Sequence, residues 1–115
     1  MPITIAQRLA NIPFDISKIT ANEAQSQIVS NQGLLIDVRE PQEAANAPVS
    51  SAINIPRGIL EMKILAMEGD ENKPIYLHCA SGVRATLAAE QLLNLGYKNV
   101  YVITCDMEKI TNAFA

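Results

Sequence analysis

Short apolar runs alternate along the chain with longer stretches in which apolar and polar residues recur at helical spacing. Short apolar runs bounded by Pro, Gly or Asn are typical of buried strands, whereas apolar residues three and four positions apart indicate helices. Strands are predicted at residues 16–20, 34–38, 52–55, 75–78 and 99–103. Helices are predicted at residues 21–30, 39–45, 58–67, 85–95 and 107–114. This alternation predicts an α/β domain with a mostly parallel five-stranded sheet and helices on both faces.

Local signals at the helix ends support these boundaries. Thr20 and Glu23 have the spacing of a capping box, in which each side chain binds the backbone N–H of the other residue. Pro41 is compatible with the first turn of a helix, and Gly96 favours the end of one. One apolar face of the helix at 85–95 is expected to contain Ala85, Ala88, Ala89, Leu92 and Leu95. The last helix is expected to turn Met107, Ile110 and Phe114 inward.

The length of 115 residues suits one domain with its own core. Residues 1–14 carry little pattern beyond a short helical turn that Ile5, Leu9 and Ile12 would form. We therefore expect an N-terminal extension at 1–14 and a folded domain at 15–115.

Composition and charge exclude several classes of function. Hydrophobic residues make up 49% and charged residues 18%, which indicates a globular chain rather than a disordered one. The net charge of −3 and the lack of a basic cluster argue against nucleic acid as a partner. No apolar run approaches the ~20 residues of a membrane span, and because no basic segment followed by an apolar one occurs at the N-terminus, no signal peptide is expected. Two cysteines without an export signal predict free thiols in a reducing cytoplasm.

The main candidate for chemistry is the loop from Cys79 to Arg84, between a predicted strand and the helix that follows it. Backbone N–H groups at the start of a helix, the helix dipole and the Arg84 guanidinium together stabilise an anion. If Cys79 lies among them, its thiolate is favoured over its thiol. Gly82 permits the positive φ that such a loop needs. The alternative is that Cys79 is a small buried apolar residue, the usual role of cysteine at a strand end.

Most other cysteine chemistry does not fit the residues present. His78 is the only histidine, and because adjacent strand residues point to opposite sides, it is poorly placed to take a proton from Cys79. We expect His78 to be packed and hydrogen-bonded beneath the loop. Two cysteines 26 positions apart and one histidine do not form a zinc site, and no Cys-x-x-Cys or phosphate-binding Gly-Lys-Thr loop occurs, so no metal or cofactor is expected. A lone thiolate in such a cradle can attack a sulfane sulfur, a phosphoryl group or an arsenate.

Three blocks resemble motifs of the rhodanese-like sulfurtransferases, in the order in which that family has them. Residues 78–84, His-Cys-Ala-Ser-Gly-Val-Arg, look like the active-site loop with its Cys-x-x-Gly-x-Arg pattern. Residues 35–40, Leu-Ile-Asp-Val-Arg-Glu, resemble the upstream Ile-Asp-Val-Arg motif, and residues 52–56, Ala-Ile-Asn-Ile-Pro, resemble the Gly-Ala-Ile-Asn-Ile-Pro motif. The resemblance implies the rhodanese-like three-layer α/β fold.

The resemblance also implies an activity. Cys79 would take a sulfane sulfur from a small anionic donor such as thiosulfate and pass it, as a persulfide, to a thiophilic acceptor. Arg84 would bind the donor anion, and the persulfide would be held by the backbone amides of Ala80, Ser81, Gly82, Val83 and Arg84. A protein could be donor or acceptor, and a monomer or weak homodimer is expected. Two alternatives stay open: a non-catalytic binding or regulatory module, and a phosphatase or arsenate reductase of the same fold, although the related phosphatases have a loop that is one residue longer.

Other positions have weaker assignments. Asp37 and Arg39 match family positions that are mainly structural, so a salt bridge or a bond to the loop backbone is expected there. Arg57 would either attract anions at the pocket rim or lie solvated on the surface. The family's usual Gly-Gly after the last strand is replaced by Cys105-Asp106. Cys105 could resolve an oxidised or persulfidated Cys79 as a disulfide, or be a partly buried bystander.

Overall fold

The computed structural model describes residues 1–115, along which helices and strands alternate. The helices are α1 (Ile5–Ala10), α2 (Ala21–Asn31), α3 (Pro41–Asn46), α4 (Leu60–Met67), α5 (Val83–Leu95) and α6 (Met107–Ala113). The strands are β1 (Ser17–Ile19), β2 (Leu34–Asp37), β3 (Ile53–Asn54), β4 (Ile75–His78) and β5 (Val100–Ile103). A 3₁₀ turn at Arg57–Ile59 leads into α4. None of these helices has both the length and the apolar character needed to cross a bilayer.

The five strands form one parallel sheet in the order β1-β5-β4-β2-β3. The α/β class and the five-stranded sheet are therefore confirmed, and the sheet is wholly rather than mostly parallel. In the central pair, Asp37 lies opposite His78, so β2 and β4 end at the same level. Asn54 of β3 lies opposite Asp37. Because the strands are parallel, the segments that follow β2, β3 and β4 meet at one edge of the sheet.

Each face of the sheet packs against its own hydrophobic core. On β4, Ile75 and Leu77 point into one core, and Tyr76 points into the other, as the two-residue period of a strand requires. The first core includes Cys79 and the small inward residues of α5. The second core lies beneath α2 and α6 and includes Ile110 and Phe114. Cys79 thus belongs to the α5 side of the sheet.

The structure confirms the capping box, the proline and the glycine that were predicted to mark helix ends. Thr20 accepts a hydrogen bond from the N–H of Glu23, whose carboxylate accepts one from the N–H of Thr20. Pro41 is the first residue of α3, and Gly96 ends α5 with a φ of +104°. The capping box, the proline and the glycine are local signals, which explains why they locate these ends well.

Other boundaries differ from the prediction. Helix α5 begins at Val83 instead of residue 85, because the backbone turns helical directly after Gly82. Leu95 is 39% exposed rather than buried, since it lies at the end of α5, beyond the edge of the core. The predicted helix at 58–67 begins as a 3₁₀ turn, and α4 proper starts at Leu60.

The N-terminal segment forms α1, which is capped by the Thr4 side chain. Arg8 reaches from α1 to Glu90 of α5, with 2.6 Å between Nη2 and Oε1. The division of the chain at residue 14 stays a prediction.

Candidate active-site loop

Cys79 is the first residue after β4, and its side chain is 1% exposed. Two backbone N–H groups donate hydrogen bonds to its Sγ atom: that of Gly82 at 3.0 Å and that of Ala85 at 3.3 Å. Donors that converge on one sulfur stabilise negative charge there, because they replace water without needing to reorient. Ala85 lies one residue beyond the predicted cradle, since α5 begins early enough to turn its N–H toward the loop.

Gly82 gives the loop its curvature. Its φ is +90°, and it directly precedes the first residue of α5. An added Cβ would meet no atom within 4 Å, so the backbone conformation, and not a lack of space, favours glycine here. Thr86 fixes the turn from the helix side, because its hydroxyl donates to the Gly82 carbonyl at 2.7 Å. This role of Thr86 was missed, although a threonine one turn into the helix is a usable signal.

Arg84 forms an ion pair with Glu43. Its Nη1 and Nη2 atoms donate to the two carboxylate oxygens of Glu43, over 2.5 and 3.0 Å. The side chains are 32% and 41% exposed, so the ion pair lies at the surface of the loop. The Arg84 guanidinium, together with the N–H of Glu40, lowers the pKa of Glu43 to about 2, and Glu43 in turn raises the pKa of Arg84. Sequence reasoning missed Glu43, which lies 41 positions before Arg84 and has no local signal.

Asp37 and Arg39 form a buried ion pair. Each side chain is only 3% exposed, and Arg39 Nη2 lies 2.7 Å from Asp37 Oδ2. The same guanidinium donates to the carbonyls of Ala47 at 2.8 Å and Glu43 at 3.4 Å, the latter in the first turn of α3. The salt bridge expected from the sequence is present, and it ties α3 to the end of β2.

Asn54 is a second residue that sequence reasoning missed. Its Nδ2 atom donates to the carbonyls of Asp37 at 3.0 Å and Arg39 at 2.9 Å. These bonds hold the turn after β2 against β3. The asparagine within the 52–56 block was the available signal, but its partners depend on strand pairing.

His78 is fully buried, as predicted, but the expected hydrogen bond is absent because neither ring nitrogen has a partner. Oδ2 of Asp37 lies 3.9 Å from Nε2 of His78. Burial lowers the pKa of His78; Asp37 opposes this effect and Arg39 adds to it. Because successive strand residues alternate, His78 faces away from the core that holds Cys79. It is a neutral packed residue and not a base for the thiol.

The other two candidates, Arg57 and Cys105, each have a partner other than Cys79. Arg57 pairs with Glu61 one helical turn later at 3.0 Å and is a partly exposed surface residue. Cys105 accepts a hydrogen bond from the N–H of Ala21 at 3.2 Å and packs against the second core. Both cysteines are free, and because the sheet separates them, the geometry argues against a disulfide between them.

Comparison with known proteins places this architecture in a family. A family model described as "Rhodanese-like domain" matches residues 20–113, which include every strand except β1 and the whole loop from Cys79 to Arg84. This chain belongs to the rhodanese-like domain family. The family resemblance and the fold that it implies are therefore confirmed.

Similar proteins connect the family to sulfur transfer in general. A protein of Schizosaccharomyces pombe named "Putative thiosulfate sulfurtransferase, mitochondrial" is 34% identical over 98 residues, covering 76% of this chain and 68% of its own length. "Putative sulfur carrier protein YrkF" of Bacillus subtilis is 32% identical over 97 residues, and this rhodanese-like chain spans only about half of it: 84% of this chain and 51% of that protein. The solved polysulfide-sulfur transferase homodimer of Wolinella succinogenes superposes with a TM-score of 0.72 at 27% identity, covering 90% and 78% of the two chains.

Proposed function

We propose that this rhodanese-like protein is a sulfurtransferase that carries a sulfane sulfur as a persulfide on Cys79. The observation that supports this most directly is the convergence of the Gly82 and Ala85 N–H groups on Sγ of Cys79. A thiolate needs such donors before it attacks. A persulfide needs similar donors afterwards, because it carries its charge on the outer sulfur.

Two half-reactions describe the proposed cycle with thiosulfate as the simplest donor. The Cys79 thiolate attacks the outer sulfur of thiosulfate, the S–S bond breaks, and sulfite leaves with the bonding electron pair. An acceptor such as cyanide then attacks the outer sulfur of the persulfide and leaves as thiocyanate, which restores the thiolate. Arg84 is the proposed anchor for the donor anion. The amides of Ala80 to Arg84 are proposed to surround the transferred sulfur, and Ala85 adds a donor from α5.

Partners and context are part of the same proposal. Relatives named as sulfur carrier and sulfurtransferase support partners in sulfur transfer in general, so a protein donor or acceptor is proposed beside a small anion. The monomeric or weakly dimeric state and the cytoplasmic location stay predictions.

A non-catalytic binding module is the second candidate. Two observations favour it: Cys79 is almost fully buried, and Arg84 is occupied by Glu43. A donor must reach Sγ through the loop, whereas a binding module needs no access to it. The intact pattern of cysteine, glycine and arginine in the loop favours the enzyme.

The deciding experiment is the intact mass of the protein after incubation with thiosulfate, for the wild type and for Cys79→Ser. The proposal expects a gain of one sulfur atom by the wild type, its removal by cyanide with formation of thiocyanate, and no gain by the variant. A folded wild type with a free Cys79 thiol that gains no sulfur from thiosulfate or other sulfane donors would favour the binding module.

A further inference from the structure

Every arginine of the chain is paired with a carboxylate. Arg8 pairs with Glu90 at the outer side of α5, and the three arginines at the carboxyl edge of the sheet are also paired. These three pairs are Asp37–Arg39, Arg57–Glu61 and Glu43–Arg84. The loop around Cys79 contains no lysine. The Cys79 loop that would receive a donor anion therefore offers no cationic side chain that is not already paired with a carboxylate.

Further hydrogen bonds accepted by Glu43 hold the Glu43–Arg84 pair in place. Oε1 of Glu43 accepts a hydrogen bond from the N–H of Glu40 at 3.1 Å, in addition to its bond from Arg84. The carbonyl of Glu43 accepts from buried Arg39 at 3.4 Å. Both oxygens of the carboxylate are thus directed at Arg84 by the first turn of α3, and the bidentate geometry uses two of the guanidinium N–H groups.

We infer that Glu43 is a specificity-determining residue that disfavours doubly charged donors, so that this site takes its sulfur from singly charged sulfane donors of the organic persulfide class. This inference rests on the proposed function. The attraction by Arg84 and the repulsion by Glu43 both scale with the donor charge, so Glu43 cancels much of the attraction that Arg84 alone would offer. Thiosulfate, with two charges, loses about twice as much attraction as a singly charged donor loses. The pair thereby selects by charge without contacting the transferred sulfur.

The transfer from an organic persulfide balances without a further reactant. The Cys79 thiolate attacks the outer sulfur of the singly charged donor R–S–S⁻, the S–S bond breaks, and R–S⁻ leaves with the electron pair. The products are the persulfide anion Cys79–S–S⁻ and the donor thiolate, with two negative charges on each side of the reaction. The donor enters with one negative charge and leaves with one.

The test uses two sulfur donors that have similar shapes but different charges. Thiosulfate carries two negative charges, and methanethiosulfonate, in which a methyl group replaces one oxygen, carries one. The second-order rate of persulfide formation on Cys79 is measured by intact mass for the wild type, Glu43→Gln and Glu71→Gln. Glutamine at position 43 can still accept the bond from the Glu40 N–H, so the start of α3 is preserved. Glu71 is the matched control, because it pairs with exposed Lys98 at the opposite end of the sheet and its variant changes the net charge equally.

The expected result is a shift in donor preference. Glu43→Gln should speed the reaction with thiosulfate roughly fivefold and that with methanethiosulfonate roughly twofold, the scale of one solvent-exposed charge contact. Glu71→Gln should change neither rate by more than a small factor. The ratio of the two rates within one variant does not depend on how much of the sample is folded, so a merely structural effect of the substitution leaves that ratio unchanged.

Two results would overturn the inference, and they differ from each other. If the wild type gains sulfur but Glu43→Gln leaves the ratio of the two rates unchanged, or lowers the thiosulfate rate more, then Glu43 only positions Arg84 and does not select by charge. If the wild type gains no sulfur from either donor, the proposed function fails and this inference fails with it.

Discussion

The backbone N–H of Gly82 donates a hydrogen bond to Sγ of Cys79 over 3.0 Å, from a residue with a φ of +90°. The left-handed backbone at Gly82 is what turns the loop back over the sulfur. A residue with a side chain adopts this conformation at a cost, so the geometry of the sulfur site and the identity of residue 82 are linked.

Gly82→Ala should lower the free energy of unfolding by about 1–2 kcal/mol, because a Cβ strains a backbone with positive φ. The same strain should move the Gly82 N–H away from Sγ and slow the formation of a persulfide on Cys79. Urea unfolding and the rate of sulfur gain check the two effects. Gly96→Ala is the matched control, since Gly96 has a φ of +104° at the far end of α5 and also has open space around an added Cβ. Gly96→Ala should lose a similar amount of stability but form the Cys79 persulfide at the wild-type rate. If both variants form the persulfide equally fast, the rate does not depend on the backbone conformation at Gly82.

Asp37→Asn should destabilise the protein by about 3–5 kcal/mol, because it leaves the charge of Arg39 buried without its partner. Glu61→Gln, which breaks the partly exposed pair with Arg57, should cost less than about 1 kcal/mol. Chemical denaturation of the two variants measures the difference. A loss for Asp37→Asn no larger than that for Glu61→Gln would show that Arg39 finds water or another partner.

His78 should make the protein less stable as the pH falls below about 6.5, the ordinary pKa of histidine. Burial lowers its folded-state pKa, so the unfolded chain binds the proton more tightly, and the free energy of unfolding rises with pH in this region. Unfolding by urea at pH 7.5, 6.5 and 5.5, values around that ordinary pKa, tests this slope. Because the chain has one histidine, His78→Leu should flatten it. A slope that persists in the variant would assign the effect to other groups.

Cys105→Ser should leave the formation and turnover of the Cys79 persulfide unchanged, because Cys105 packs against the core on the other face of the sheet. Mass spectrometry of the oxidised wild type should show no bridge between the two cysteines. Sulfur loading of Cys105→Ser at the wild-type rate would support the bystander role. A 79–105 disulfide, or slower turnover in the variant, would instead support a resolving role.

The amino-acid sequence alone was enough to predict the order of the elements, most of their boundaries, the family resemblance and the position of the candidate active-site loop. These follow from local signals: apolar runs in the strands, the Thr20–Glu23 capping box, Gly96, and a cysteine followed by glycine and arginine before a helix. Such signals act over a few residues, so no knowledge of the sheet order is needed to interpret them.

Which side chains meet around that loop depends on how the strands assemble in three dimensions. The Glu43–Arg84 pair spans 41 positions, and it exists because the sheet order places β2 beside β4, so that α3 and the Cys79 loop leave the same edge. The same strand order leaves His78 without a hydrogen-bond partner and puts Cys105 on the opposite face from Cys79. Contacts between distant segments depend on which strands pair and on which side of the sheet each side chain lies. Local periodicity does not specify that pairing, so these features of the site had no signal in the sequence.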